Sequence, residues 1–249
     1  MTAHQVMGQN AMTSGIATEI LMRLHELSDP QKAESLKRFF KTGPGEYGEG
    51  DIFLGIRVPD VRQLTREFKT VKAWDVVPIL RSAVHEERLF ALLVFVREFS
   101  KGTRTDREKI YNLYRDNMEF VNNWDLVDLS APPIVGAFLE NRCRNPLYRM
   151  AESGTLWERR IAIMATFHFI RKQQFEDTLK ISRILLGDGE DLIHKATGWM
   201  LREVGKRDAE SEEFFLKEHC RDMPRTMLRY AIEKFPPDRR RMYLDGSVG

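Results

Sequence analysis

The sequence predicts an all-α protein, a solenoid of stacked two-helix repeats, and three observations carry that prediction. Apolar residues recur at helical spacing from residue 16 to residue 235, nothing alternates with period two for long enough to make a sheet, and the starts of alternate helices fall 36 residues apart. With 42% hydrophobic and 31% charged residues over 249 positions, the chain can bury a substantial core and is not of disordered composition.

Ile16, Ile20, Leu21, Leu24 and Leu27 mark a first helix, and Asp29-Pro30 opens a second that runs through Phe39 and Phe40. Residues 43–50 place four glycines around Pro44 and read as a flexible loop. The run 53–59 is the one candidate for a short strand, although Pro59 followed by Val61, Leu64 and Phe68 fits entry into a further helix better. Amphipathic segments then follow at 76–81, 86–99, 107–118, 124–141, 147–153, 157–171, 175–186, 192–206, 212–221 and 225–235. In 86–99, Leu89, Leu92, Leu93, Val96 and Phe99 trace one buried face. Trp74 has no charged partner at comparable spacing and is expected in the core, as is His168, hydrogen-bonded between Phe167 and Phe169.

Glu86, Asn122, Glu158 and His194 each open a helix on polar residues and run into apolar ones, at an even 36-residue interval. That period with two helices per unit is of HEAT-like type, and the implied architecture is a right-handed superhelix with a concave basic face. Residues 1–15 are polar and Met-rich and read as a disordered leader; residues 16–249 form one domain, with Arg225 to Phe235 as a cap.

The net charge of +2 predicts no partner, so any basic surface must be local. Cys143 and Cys220 have neither metal-knuckle nor redox spacing, which fits a reducing, cytoplasmic setting. The most apolar run, 161–170, is too short for a bilayer, so a soluble protein without membrane contact is expected.

Trp124 and Asp128 stand four apart, which puts an indole and a carboxylate on one helix face, a combination suited to something cationic. Taken alone the pair has a second reading, Trp124 in the core and Asp128 as a capping or solvated acid, and structural residues outnumber site residues. Equivalent positions of a solenoid line one wall, which here offers Arg88, Trp124, Asp128, Trp157, Arg159, Arg160, Lys195 and Trp199. Lys195, Trp199, Arg202 and Lys206 lie at i, i+4, i+7 and i+11, a cationic face with a Trp inside it, and Arg225, Arg229 and Arg239-Arg240-Arg241 follow. Cations interleaved with indoles suit nucleic acid; the competing reading is a set of solvated faces paired with Glu87, Glu158 and Glu203. The chain has no HExxH, no zinc-spaced cysteines, no phosphate loop with its Lys and no G-x-S-x-G. No metal and no cofactor is expected.

With those residues in view, the sequence resembles the AlkD-like DNA alkylation-repair glycosylases, a HEAT-like-repeat family. The similar segments are Phe53-Leu54-Gly55-Ile56, Trp124-Asp125-Leu126-Val127-Asp128, Arg160-Ile161-Ala162-Ile163 and, most specifically, Lys195 to Glu203, within residues 31–235. The resemblance implies Asp128 as catalytic carboxylate, Trp124 and Trp199 as aromatic residues flanking the lesion's deoxyribose, and Arg160 as a DNA-backbone contact. It implies a monomer acting on double-stranded DNA, nucleoid-associated in a prokaryotic cell, that excises cationic N3- or N7-alkylated purines without flipping the base. The family commonly has a tyrosine near residues 37–41, where this chain has Phe39, a DNA contact without the hydroxyl; residues 43–50 have no clear counterpart. The alternative is a catalytically weak repeat module that binds damaged or branched DNA, or a protein partner, through the same wall.

Overall fold

The computed structural model describes residues 15–247, all of whose regular elements are helical; a lone parallel bridge pairs Ile52 with Val84. Residues 1–14 of the expected leader lie outside the described residues, and Gly15 already begins the first helix. The chain divides into two compact units, one ending at Leu126 and one beginning at Val127.

The first unit contains α1 (Gly15–Glu26), α2 (Pro30–Phe39), α3 (Val58–Glu67), α4 (Val77–Leu80), α5 (His85–Lys101) and α6 (Arg104–Arg115), and the first turn of α7 (Trp124–Ala131). Asp29 caps α2, its carboxylate accepting the amides of Gln31 and Lys32, with Pro30 pre-set for the first helical position. α5 is the centre of the unit, packed by α1, α3, α4 and α6 and buried on all sides over Leu89–Phe95. Its first turn is buried although it is charged: Glu86 reaches back to the loop before α3 and accepts the amides of Leu54, Gly55 and Ile56 at 2.9, 2.8 and 3.2 Å. Gly55 has φ +84°, and a Cβ there would lie 2.1 Å from the Asp29 carbonyl oxygen, so only glycine fits. The candidate strand at 53–59 is therefore a carboxylate-pinned loop leading into α3.

Residues 43–50 form turns held by their own acids, with Glu46 accepting from Gly43 and Glu49 from Gly45. Trp74 departs from its expected core position and is 52% exposed. It lies on the 3₁₀ turn Ala73–Val76, whose three-residue period puts Ala73 and Val76 inward together and turns the intervening side chain to solvent.

The second unit continues α7 through a π-turn, Pro132–Gly136, into α8 (Ala137–Leu139). Pro132 and Pro133 have no N–H to donate, and the wider turn absorbs the missing helical bonds. There follow α9 (Asn145–Ala151), α10 (Leu156–Ala165), α11 (Phe167–Ile170), α12 (Glu176–Ile184), α13 (Asp191–Gly205), α14 (Ala209–His219), α15 (Arg225–Ala231) and α16 (Pro237–Asp245). The single helix expected at 157–171 is broken at Thr166, whose hydroxyl bonds the Ile163 carbonyl at 2.7 Å. His168 is hydrogen-bonded as expected, to Glu140 at 2.9 Å, but is only partly buried.

α10 stacks on α13 and α13 on α15, while α9 stacks on α12, the two-row packing of an all-α solenoid. The α13–α15 crossing is close: a Cβ at Gly198 would lie 2.3 Å from the Met227 carbonyl oxygen and 2.6 Å from Tyr230 Cβ. The repeat is less even than the sequence suggests, since α5, α7, α10 and α13 begin at residues 85, 124, 156 and 191, intervals of 39, 32 and 35. α16 had no helical signature because Arg239-Arg240-Arg241 interrupt its apolar pattern; it docks through Tyr243, which joins Leu201, Phe215, Leu216 and Leu228 in one cluster. Among the described residues no helix is long and apolar enough to cross a membrane.

Candidate active site and nucleic-acid interface

In the first unit the start of α7 is fixed from two sides. Asn123 Oδ1 accepts the Trp124 amide at 2.8 Å while its Nδ2 donates to Asp51 at 3.0 Å. Asp125, buried, lies 2.9 Å from His85 Nε2, and His85 Nδ1 faces the second oxygen of Asp51 at 3.5 Å. Arg88 closes the cluster on Asp51 at 2.6 Å and on the Ser82 carbonyl at 3.0 Å. Burial disfavours the imidazolium, but the hydrogen bond and charge of Asp125, with Asp51 behind, outweigh it and push the His85 pKa up to about 9. The same partners, His85, Arg88 and Asn123, hold Asp51 below its usual value against its own burial. Arg88, expected on the DNA-facing wall, is thus an internal counter-ion, 2% exposed. Neither Trp124 nor its neighbours signal this cluster, whose members come from three stretches up to 74 residues apart.

Against the imidazole lies a run of rings. Phe40 and Phe53 stack 5.0 Å apart and sit 4.9 and 4.7 Å from His85; Trp124 stacks on Phe40 at 5.3 Å and 17°. Phe39 meets Trp124 edge-on at 5.8 Å and is 63% exposed, the outermost ring of the series.

In the second unit Asp128, one turn further along α7, is gripped by Arg160 of α10: Nε to Oδ1 at 2.9 Å and Nη2 to Oδ2 at 2.8 Å. Arg160 also donates to the Leu192 carbonyl and is 4% exposed, so it is an internal clamp on the carboxylate. Trp199 is partly buried on α13, with Phe167 6.3 Å away. A carboxylate fixed at both oxygens cannot swing away from a cation developing beside it, which suits electrostatic stabilisation better than proton transfer.

The expected cationic face is laced with acids. Arg159 pairs with Asp188 at 2.6 Å and the Ser153 carbonyl at 3.0 Å, Lys195 with Asp191 at 2.7 Å, Arg202 with Glu233, and Lys206 with Glu203 at 2.5 Å. Of the acids expected to pair with the wall's cations, Glu203 does so, while Glu87 faces His25 and Glu158 bonds Ser153. Lys195 and Lys206 keep about two fifths of their side-chain surface, whereas Arg159 and Arg202 are largely covered.

Comparison with known proteins agrees with this arrangement at the level of the fold and the family. A solved structure described as a predicted DNA alkylation repair enzyme from Enterococcus faecalis superposes with a TM-score of 0.64 at 16% identity, over 84% of this chain and 97% of that one. No curated protein matches the chain. The family model described as DNA alkylation repair enzyme matches residues 20–235, a span that takes in Phe39, Trp124, Asp128, Arg160 and Trp199. The chain belongs to the DNA alkylation repair enzyme family.

Proposed function

We propose that this protein is a metal-independent DNA glycosylase that releases cationic N3- and N7-alkylated purines from duplex DNA. The observation that supports it most is the clamped carboxylate of Asp128, four residues beyond a half-buried Trp124. An alkylpurinium base leaves as a neutral group and needs no general acid, so the protein has to stabilise an oxocarbenium-like sugar and place a water on C1′. Asp128 supplies the anion for both tasks. The indole faces of Trp124 and Trp199 add cation–π and C–H···π attraction. Phe39, Arg159, Lys195, Arg202 and Lys206 contact the duplex, with the lysines meeting phosphates. In this reading the base stays in the duplex, since the groups assigned to the reaction act on the deoxyribose and none of them has to recognise the base.

A second reading has its own support: Arg160 neutralises much of the charge of Asp128, which weakens its pull on a cation and favours a module that binds damaged DNA without cutting it. Incubation with duplex DNA containing 7-methylguanine separates the two. Release of the base above the spontaneous rate, lost in Asp128→Asn, is the expected result; intact DNA binding without release overturns the glycosylase.

A further inference from the structure

A second concave site lies within the C-terminal unit, away from Asp128 in sequence and built from α13, α14, the turn Ile232–Lys234 and α16. It is a cavity of about 330 Å³, lined by Arg202, Lys206, Lys234 and Arg239, with Glu212 in its wall and Phe235 and Pro236 as an apolar side. That volume is in the range of small-molecule sites. Two of its polar atoms are buried without a hydrogen-bond partner among the described residues, Arg202 Nε and Glu212 Oε1. Glu212 is 2% exposed and lies against the backbone of α13, where a Cβ at Gly205 would overlap its carboxylate at 1.6 Å.

Burial, and then the neighbouring Glu213, push the Glu212 pKa up to about 8, with Arg202 opposing them. At neutral pH the group therefore keeps its proton and has it to offer to a ligand. Around it the charged and titratable groups are Glu213 on α14, Arg202 and Lys206 on α13, Glu233 and Lys234 on the turn, and Arg239 and Tyr243 on α16. Each rim cation has an acid beside it, yet Lys206 and Lys234 are exposed at 43% and 61% and can swing inward. The two unpartnered groups are the Arg202 Nε–H and the neutral Glu212 carboxyl, each of which has a proton to donate. The matching ligand is an acceptor with several oxygens and an organic body to lie on Phe235.

We propose that this cavity binds a phosphomonoester, its phosphate received by Lys206, Lys234, Arg239, the free Arg202 Nε–H and the Glu212 carboxyl. The phosphate belongs either to a free nucleotide or to a DNA strand end. The site shares Arg202 and Lys206 with the duplex contacts proposed above but not Asp128, and its test, which alters Lys234, Arg239 and Glu212, leaves the excision chemistry untouched.

Calorimetric titration of the full chain with deoxyguanosine monophosphate, and with lesion-free duplexes ending in 5′-phosphate or 5′-hydroxyl, assigns the source. Saturable binding of the nucleotide shows a small-molecule site, and preference for the phosphorylated end shows a strand-end site. Lys234→Ala/Arg239→Ala should weaken the binding about tenfold, while thermal unfolding confirms that it folds. Sulfate, whose charge is constant over this range, reads the role of Glu212. Its affinity should fall about tenfold between pH 7 and pH 9 as the carboxyl ionises, and stay level in Glu212→Gln. Absence of saturable binding by nucleotide, phosphorylated end and sulfate overturns the proposal, as does the same pH dependence in Glu212→Gln.

Discussion

Arg160 and Asp128 meet as a fork on a fork, two parallel hydrogen bonds of 2.9 and 2.8 Å between side chains that are 5% and 13% exposed. Removing one partner of such a pair strands the other in a dry site, at about 3–5 kcal/mol. Arg160→Ala is therefore expected to lower the unfolding temperature by several degrees. Arg160→Lys, which keeps the charge and loses the second bond, should fold and show a greater loss of excision than of DNA affinity. Equal losses in both would show that the clamp does no more than hold the fold.

Asp128→Asn keeps the shape and removes the charge. If the carboxylate contributes about 3 kcal/mol to the transition state, single-turnover excision of 7-methylguanine slows about a hundredfold. DNA affinity should change by no more than a few fold. A rate within threefold of the parent would remove Asp128 from the chemistry.

His85 makes stability fall toward alkaline pH. Its folded pKa of about 9 lies above the ordinary 6.5, so its contribution is complete below pH 6.5 and is lost as pH rises through 9, at about 3 kcal/mol in all. Glu212 is an acid with a raised pKa, so its contribution is also lost on raising the pH, but earlier, between about 4.5 and 8. Denaturant unfolding from pH 5 to 10 should show both windows. His85→Gln should flatten the upper one and Glu212→Gln the lower.

Phe39 is the outermost ring, and truncating it costs little core. Phe39→Ala should leave the unfolding temperature within a degree or two and weaken duplex binding roughly tenfold, the scale of one lost aromatic contact to nucleic acid. Unchanged affinity would take Phe39 off the interface.

Gly198→Ala tests the close stacking of α13 on α15. The new methyl meets a carbonyl oxygen at 2.3 Å and a backbone-attached carbon at 2.6 Å, neither of which can move alone, so the helices must part. A loss of about 1–3 kcal/mol is expected in thermal unfolding.

Most helices were legible because their apolar faces repeat, as in Leu89, Leu92 and Leu93 of α5, and because Asp29-Pro30 and Gly-rich stretches punctuate them. Trp74 was not, since a four-residue 3₁₀ turn is too short to show a period. At the site, the spacing of Trp124 and Asp128 was visible, but the partners that define them were not. Arg160 lies 32 residues from Asp128, and the sequence gives no sign that the arginine faces inward. The opening His85-Glu86-Glu87-Arg88 looks like a solvated helix start; its burial follows from acceptors and donors at Asp51, Asp125 and residues 54–56 that meet it only in the fold.

The three amides gathered on Glu86 form a receptor that comes supplied with its own anion. In Glu86→Ala that receptor would stand vacant between Leu54 and Ile56, shaped for a small carboxylate. Acetate or propionate added from solution could then complement the deletion, and the stability of the variant would depend on the choice of buffer. The loop before α3 would become a part of the protein that folds on demand.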